Sequence, residues 1–389
     1  MNIVFFVHAG FLDSQSMPRF ANMLADGMIE RGHSVKIWSP QPRFMRLPLH
    51  KKIKKWMGYI DQYLVFPQKV KKLLKQYPKD TIFVFTDHAL GPWVPLVAGF
   101  PHVIHCHDFL AQRSGLGEFS ENITGWTGRQ YQRFIQRGYS QGKNFISVSQ
   151  KTRDDLHKFL GFIPPCSEMV YNGLNQSFMP NDPQLEGNLL SKKIGIDLSP
   201  GFILHVGGNP WYKNRLGVME IYNAWRSFSK LKFPLLLIGD QPSEELLMAL
   251  SQSSFKSDIH FLSGIEDEYV RLAYAGASVF LFPSIAEGFG WPIAEAMASG
   301  CPVITTNEAP MTEVAGNAGF QIARRPYNKK AALDWAVESA KVVEQVLTLS
   351  PGERSIAIGK GFMNAKRFDS KHSLDKVEII YNYILLSYP

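Results

Sequence analysis

Twelve short apolar runs, six in each half of the chain, limit what it can fold into. They occupy residues 3–7, 35–38, 82–85, 103–106, 145–148 and 169–171, then 202–206, 235–238, 259–262, 279–282, 303–305 and 320–322. Runs of β-branched and aromatic residues of this length read as strands buried on both faces, as in parallel sheets. Helical patterns separate many of them. Phe20, Met23, Leu24 and Met28 form one that stops at Gly32, and Val218, Ile221, Tyr222 and Trp225 form another. Strands alternating with helices predict two doubly wound α/β domains. The Pro-, Asn-, Gly- and Ser-rich stretch from Gln176 to Pro200 is the expected connection, giving Rossmann-like domains over 1–180 and 181–369. A final stripe, Leu374, Val377, Ile380, Tyr381 and Ile384, predicts a C-terminal helix over 370–389. It could pack on either domain, and we expect it back on the N-terminal one. Ligands bind beyond the carboxyl ends of strands in such sheets, so two domains facing each other would enclose a cleft.

Composition narrows the classes. With 45% hydrophobic and 20% charged residues in 389, the chain is globular rather than disordered. Cys106, Cys166 and Cys301 are too scattered for a disulfide framework or a zinc knuckle, which suggests a cytoplasmic setting. No apolar run approaches the length of a bilayer span. The run at 3–7 lacks the basic start of a signal peptide and is followed by His8. The net charge of +8 is local: the segment from Arg43 to Lys79 holds eleven Lys or Arg and one acid, Asp61. That segment carries +10, leaving −2 for the rest of the chain.

The chemistry concentrates at Glu287-Gly-Phe-Gly-Trp-Pro-Ile-Ala and the following Glu295. Pro292 suits the first position of a helix, and Gly300 suits the residue beyond its end. The amides of Gly288, Phe289 and Gly290 would then point at an anion, assisted by the helix dipole. Glu287 before the helix and Glu295 in its first turn would flank a phosphate with two acceptors for hydroxyl groups. A nucleotide-diphosphate sugar has that layout.

These residues and their neighbours resemble retaining glycosyltransferase family 4, with the two-domain GT-B fold. The resemblance covers nearly the whole chain. Arg31-Gly-His-Ser-Val35, Ser147-Val-Ser149 with Thr152, Val170 to Asn175 with Phe178 and Pro180, Gly207 to Asn214, Pro283-Ser284, Glu287 to Val303, and Glu313-Val314 follow the family's order of motifs. The resemblance implies that Lys213 binds the donor diphosphate, where an ammonium stabilises the charge of the leaving group. It implies that Glu295 accepts from the ribose, Glu287 contacts the donor sugar, and Ile265 lines the base pocket. Gly10 would let the donor phosphate and acceptor approach the backbone. The family usually has an arginine in the phosphate loop. Neither Gly208 nor Tyr212 supplies it, and Arg215 is the candidate replacement.

Val103-Ile-His-Cys-His-Asp108 resembles the family's His-Asp site, with His107 near the reacting carbon of the sugar. A metal reading fails because adjacent strand residues point to opposite faces. The resemblance further implies retention by front-face attack, with no metal and no cofactor beyond the donor itself, so that catalysis rests on positioning and charge. The acceptor would be a glycan or a lipid-linked glycan, as in cell-surface polysaccharide or glycolipid synthesis. The alternatives are an epimerase or phosphorylase on a similar scaffold, or a non-catalytic sugar-nucleotide binder. A nicotinamide dehydrogenase is disfavoured, since His8-Ala-Gly-Phe-Leu-Asp13 lacks GxGxxG.

The basic segment has its own pattern. Leu49, Ile53, Trp56, Met57 and Ile60 share one helical face, with Lys51, Lys52, Lys54 and Lys55 off it. Val70, Leu73, Leu74 and Tyr77 repeat this against Lys69, Lys71, Lys72 and Lys75. A basic amphipathic helix carrying Trp fits an anionic membrane surface, so 49–77 is expected to hold the enzyme at the inner membrane face. A core-facing helix with a solvated back is the other reading. No nucleic-acid motif accompanies the charge.

Overall fold

The computed structural model describes residues 1–12, 16–48, 50–174 and 177–388, with the side chains of Ser16, Lys51 and Lys52 excepted. Asp13, Leu49, Asn175 and Gln176, which figure in the sequence reading, lie outside the described residues. The chain forms two compact units. Residues 1–118, 123–171 and 371–389 make the first, and residues 119–122 and 172–370 the second.

The first unit is built on β1 (Asn2–Phe6), β2 (Ser34–Trp38), β3 (Thr81–Phe85), β4 (His102–Cys106), β5 (Asn144–Ser147) and β6 (Cys166–Met169). These form one parallel sheet in the order β2-β1-β3-β4-β5-β6. β3 and β4 are buried at every position, as expected for central strands of a parallel sheet. The apolar run at 169–171 is displaced from its strand: β6 ends at Met169. As the last strand of the sheet, β6 can carry the polar Ser167 and Glu168, so its apolar content marks its end rather than its length.

The C-terminal helix Ser370–Leu386 buries Leu374, Val377, Tyr381 and Ile384, part of the stripe read from the sequence. Tyr381 bonds His105 of β4 (2.8 Å), which places this helix on the first unit. The Arg31-Gly32-His33 motif clamps it there. Arg31 pairs with Asp375 (2.6 Å) and His33 with Glu378 (2.7 Å).

The second unit repeats the plan with β7 (Ile203–Val206), β8 (Leu235–Gly239), β9 (Ile259–Ser263), β10 (Val279–Phe282), β11 (Val303–Thr306) and β12 (Phe320–Ile322). They are parallel, in the order β12-β11-β10-β7-β8-β9. One face packs against helices Arg215–Phe228 and Lys329–Leu347 through Trp225, Trp335 and Val343. The opposite face meets helix Asp267–Gly276, where Tyr274 sits edge-on to Phe280 of β10. Gly239 ends β8 at φ 147°, and a Cβ there would lie 2.1 Å from the Gly207 carbonyl oxygen, so only glycine fits.

Part of the stretch expected to connect the domains is a helix of the second unit, Pro183–Ile194. Asp182 caps it, Pro183 starts it and Gly195 ends it in the left-handed region. The same Pro, Asp and Gly residues that suggest a linker are the start and stop signals of a helix.

Both sheets reverse strand order once. The switch lies between β1 and β3 in the first unit and between β7 and β10 in the second. The loops at those two points carry the polar groups described next, as expected for open α/β sheets.

Candidate active site

At the switch point of the second unit, the loop after β7 meets the loop after β10. Lys213 donates to both carboxylate oxygens of Glu287, at 2.9 and 3.0 Å. Its ammonium also lies 5.2 Å from the Phe282 ring centroid. Glu287 is 8% exposed, so the pair is largely removed from water. Asn214 fixes the lysine's position. It is the one non-glycine residue with positive φ among the described residues, at 52°. Its side chain accepts from the Gly217 amide, capping helix Arg215–Phe228, and donates to the Pro283 carbonyl at 2.8 Å. It thereby ties the lysine loop to the strand that leads to Glu287. Asparagine tolerates the left-handed region better than other side chains.

Helix Trp291–Ala298 follows, with Gly290 as its N-cap at φ 101°. Pro292 is therefore the second helical residue, not the first. Glu295 is the fifth, just past the first turn in which the sequence reading put it. Proline needs no amide partner anywhere in the first turn, so it does not distinguish the two starts. Glu295 is buried and accepts from the Tyr274 hydroxyl at 3.1 Å. Phe289 is buried edge-on to Phe368, which anchors the Gly288–Gly290 turn. Ile265 is half-buried just after Gly264, which turns the chain at φ 69°.

Arg215 does not join this group. Its Nη1 donates to Asn209 Oδ1 (2.6 Å) and to the Asp240 carbonyl (2.9 Å), and the guanidinium stacks over Phe261. It heads helix Arg215–Phe228, which packs on the other face of the sheet from Tyr274 and Glu295. Gly208, one of the two candidate positions for the loop arginine, lies against Asp240. A Cβ there would fall 2.5 Å from Asp240 Oδ2, and that carboxylate accepts the Asn209 amide at 2.8 Å.

In the first unit, the switch point carries a cluster that the motifs do not mention. The Asp87 carboxylate lies between two imidazoles, His8 Nε2 at 2.8 Å and His88 Nδ1 at 2.9 Å. Burial alone would raise the Asp87 carboxyl, but the His88 and His8 imidazoles outweigh it and hold it well below the usual range. Burial likewise opposes charge on His88, and the carboxylate of Asp87, helped by Asp108, raises its pKa instead.

His107 is buried at the end of β4, and its Nε2 bonds the Thr86 carbonyl at 2.9 Å. A carbonyl only accepts, so Nε2 carries the proton and Nδ1 is the free acceptor. Burial pushes the ring's pKa down to about 4, which keeps it neutral at neutral pH. Thr152 donates to the His107 carbonyl, and Ser149 caps the following helix, which accounts for the second Ser and the Thr of that motif. Among the described residues, none beyond its chain neighbours has an atom within 4 Å of where a Gly10 Cβ would stand. Among the described residues, no group of three or more His, Cys, Asp or Glu is placed to hold a metal ion.

His8, Asp87, His88 and Asn214 escaped the sequence reading. His8 follows directly on an apolar run, and Asp87 and His88 come within three residues of one, so the rule that sites lie beyond strand ends could have found them. Asn214 carried no signal beyond its place after Lys213.

Two parallel sheets with polar groups at each switch point define the GT-B class of α/β fold. WaaG, a glycosyltransferase involved in lipopolysaccharide biosynthesis, superposes with a TM-score of 0.72 over 97% of this chain and 99% of its own, at 18% identity. Anabaena Alr3699/HepE, solved in complex with UDP, gives 0.71 over 98% and 100%, at 15% identity. In sequence, residues 17–178 match the Glycosyltransferase Family 4 model and residues 188–342 match Glycosyl transferases group 1. O-antigen chain mannosyltransferase B of Escherichia coli is 27% identical over 62% of the chain; the match spans 60% of that relative's length. The chain belongs to the family 4 glycosyltransferases.

Proposed function

We propose that the protein transfers a sugar, with retention of configuration and without a metal, from a nucleotide-diphosphate donor to a glycan or lipid-linked glycan. The observation that carries this reading is the Lys213–Glu287 pair at a glycine-rich helix start, with Glu295 one turn further on. In the absence of donor, Glu287 neutralises the ammonium. A donor diphosphate takes over the lysine, and the freed carboxylate accepts from sugar hydroxyls. Glu295, already held by Tyr274, accepts from the ribose, and Ile265 lines the base. The family resemblance would set Gly288 to Gly290 and Gly10 by the donor phosphate, and would have neutral His107 offer Nδ1 to the donor sugar. The departing phosphate takes the acceptor proton, and the protein contributes position and charge. HepE in complex with UDP supports UDP as a base to try, and the mannosyltransferase relative supports mannose as a sugar to try.

A thermal-shift panel of UDP, GDP and ADP tests the donor site. One of them at 100 times its Kd should stabilise the protein by about 2.7 kcal/mol. No shift with any of them would remove the proposal.

The same reading puts the enzyme on an anionic membrane surface through part of 49–77. Helix Lys51–Ile60 leaves Trp56 65% exposed and Ile53 exposed beside it. Asp61, the segment's lone acid, is buried, its carboxylate accepting three amides from Arg43, Phe44 and Met45 at 3.0 Å each. The segment's one carboxylate is therefore withdrawn from its surface. Helix Phe66–Leu74 is different: Val70 is buried in the core and Leu73, Leu74 and Tyr77 pack against it, leaving only a solvated lysine back. Among the described residues, no helix is long and apolar enough to cross a membrane. Co-sedimentation with anionic vesicles should exceed that with neutral ones at low salt, and Trp56→Ala should weaken it, since each basic residue adds about 1 kcal/mol and the indole adds insertion. Equal pelleting with both vesicle types would end this part of the proposal.

A further inference from the structure

A cavity of about 550 Å³ opens in the second unit, and none of Lys213, Glu287 and Glu295 lines it. It is of the size that holds organic ligands, which is roughly 300–1,000 Å³. It lies where helices Arg215–Phe228, Glu244–Gln252 and Lys329–Leu347 begin, on the sheet face away from Tyr274 and Glu295. Its walls include Trp211, Tyr327, Asn209, Glu245, Arg325 and Arg215.

The chemistry of the wall selects the ligand class. Three helix N-termini at a cavity suggest an anion, but each is already capped by its own side chain: Asn214 on the Gly217 amide, Ser243 on Leu246, Asn328 on Lys330 and Ala331. Arg325 is held in a two-point pair with Glu220 at 2.7 Å, and the wall carries two carboxylates, Glu121 and Glu245. Arg215 and Lys329 add positive charge to the wall, and the two carboxylates offset it, so the lining does not favour an anion over a neutral polar ligand. A purely apolar ligand would strand these polar groups.

What remains is a molecule with many hydroxyls and an apolar face. Trp211 is braced against Phe119 at 4.8 Å, and Tyr327 is largely exposed, so both rings offer flat surfaces. Carboxylates and amides accept from and donate to hydroxyls. Arg215 is 4% exposed, and its Nε and Nη2 have no hydrogen-bond partner. Those two nitrogens are closed off from the cavity, so Arg215 contributes charge to the wall rather than a free donor.

We infer that this cavity is a saccharide-binding subsite, separate from the donor site, that takes one or two hexose units of a glycan chain against Trp211 and Tyr327, with hydroxyls on Glu245, Asn209 and the Arg325 guanidinium group. The choice of a glycan rests on the proposed transferase reading; the chemistry of the walls does not. The 3-10 turn Trp211–Lys213 joins the two sites, so a glycan held here would lie on the loop that presents the phosphate lysine.

The test is binding of α-linked mannotriose, maltotriose and cellotriose by saturation-transfer NMR and calorimetry. At least one should bind the wild-type protein, and Tyr327→Ala and Glu245→Gln should each weaken it tenfold or more. The shift given by the preferred nucleoside diphosphate should be unchanged in both variants. Failure of all three sugars, undiminished binding in both variants, or displacement of the sugar by inorganic pyrophosphate would overturn the inference. Loss of the nucleotide shift in the wild type would instead sink the donor site, so the two failures are distinguishable.

Discussion

Lys213→Ala is expected to lower sugar transfer by about two to three orders of magnitude, the usual cost of removing one preorganised group that stabilises developing charge. Its ammonium is held within 3.0 Å of both Glu287 oxygens before any donor arrives, and Asn214 locks the loop. On the proposed reading the ammonium is positioned before the donor binds and has only to exchange Glu287 for the diphosphate. The missing loop arginine concentrates the effect on this one residue, since Asp240 fills the space beside Gly208 and Arg215 is engaged elsewhere. The substitution also leaves the Glu287 carboxylate buried without its partner, which by itself destabilises the unit. Lys213→Ala combined with Glu287→Gln removes the unpaired carboxylate, so stability should recover, and Glu287→Gln alone gives the share of the transfer loss that belongs to the carboxylate. Single-turnover rates at saturating donor, alongside melting temperatures, provide the measurement. A rate within threefold of wild type for Lys213→Ala would remove the lysine from the mechanism.

Asp87→Asn is expected to lower the stability of the first unit by about 3 kcal/mol, the cost of breaking a buried ion pair from one side. On the usual scale for domains of this size that is roughly 8 °C in Tm. The pH dependence identifies the cause. The Asp87 carboxyl is depressed, so its contribution is complete above the ordinary value of 3.8 and is lost as pH falls through the lower folded value. The His88 imidazole is raised, so its contribution is complete below 6.5 and is lost as pH rises through the higher folded value. The gap between wild type and Asp87→Asn should therefore be widest between pH 4 and 6.5 and should narrow on both sides. Differential scanning calorimetry across that range reads it. A gap that does not vary with pH would mean that the carboxylate contributes packing only.

Much of the fold was legible because burial on both faces leaves a continuous apolar signature. Runs such as 82–85 and 279–282 have no other economical explanation than central parallel strands. The exception at 169–171 arose at the last strand of a sheet, where one side of the ladder is unpaired and polar residues are tolerated. The stretch 176–200 misled for a related reason, since caps and linkers draw on the same residue types. The basic segment shows the limit of periodicity. Both halves have the same amphipathic pattern, yet Val70 is in the core and Trp56 is in solvent. Spacing defines a face but not what the face meets.

The sequence alone determined the alternation of strands and helices, the membership of the chain and the two glutamates around a glycine-rich helix start. These depend on local spacing, which the order of residues encodes directly. The tertiary structure alone decided that Lys213 grips a carboxylate 74 residues away, that Arg215 turns to Asn209 and Phe261, and that Asp87 joins two histidines. Those partners are set by which strands become neighbours where the sheet order reverses. That pairing belongs to the whole sheet, and no short window of the chain contains it.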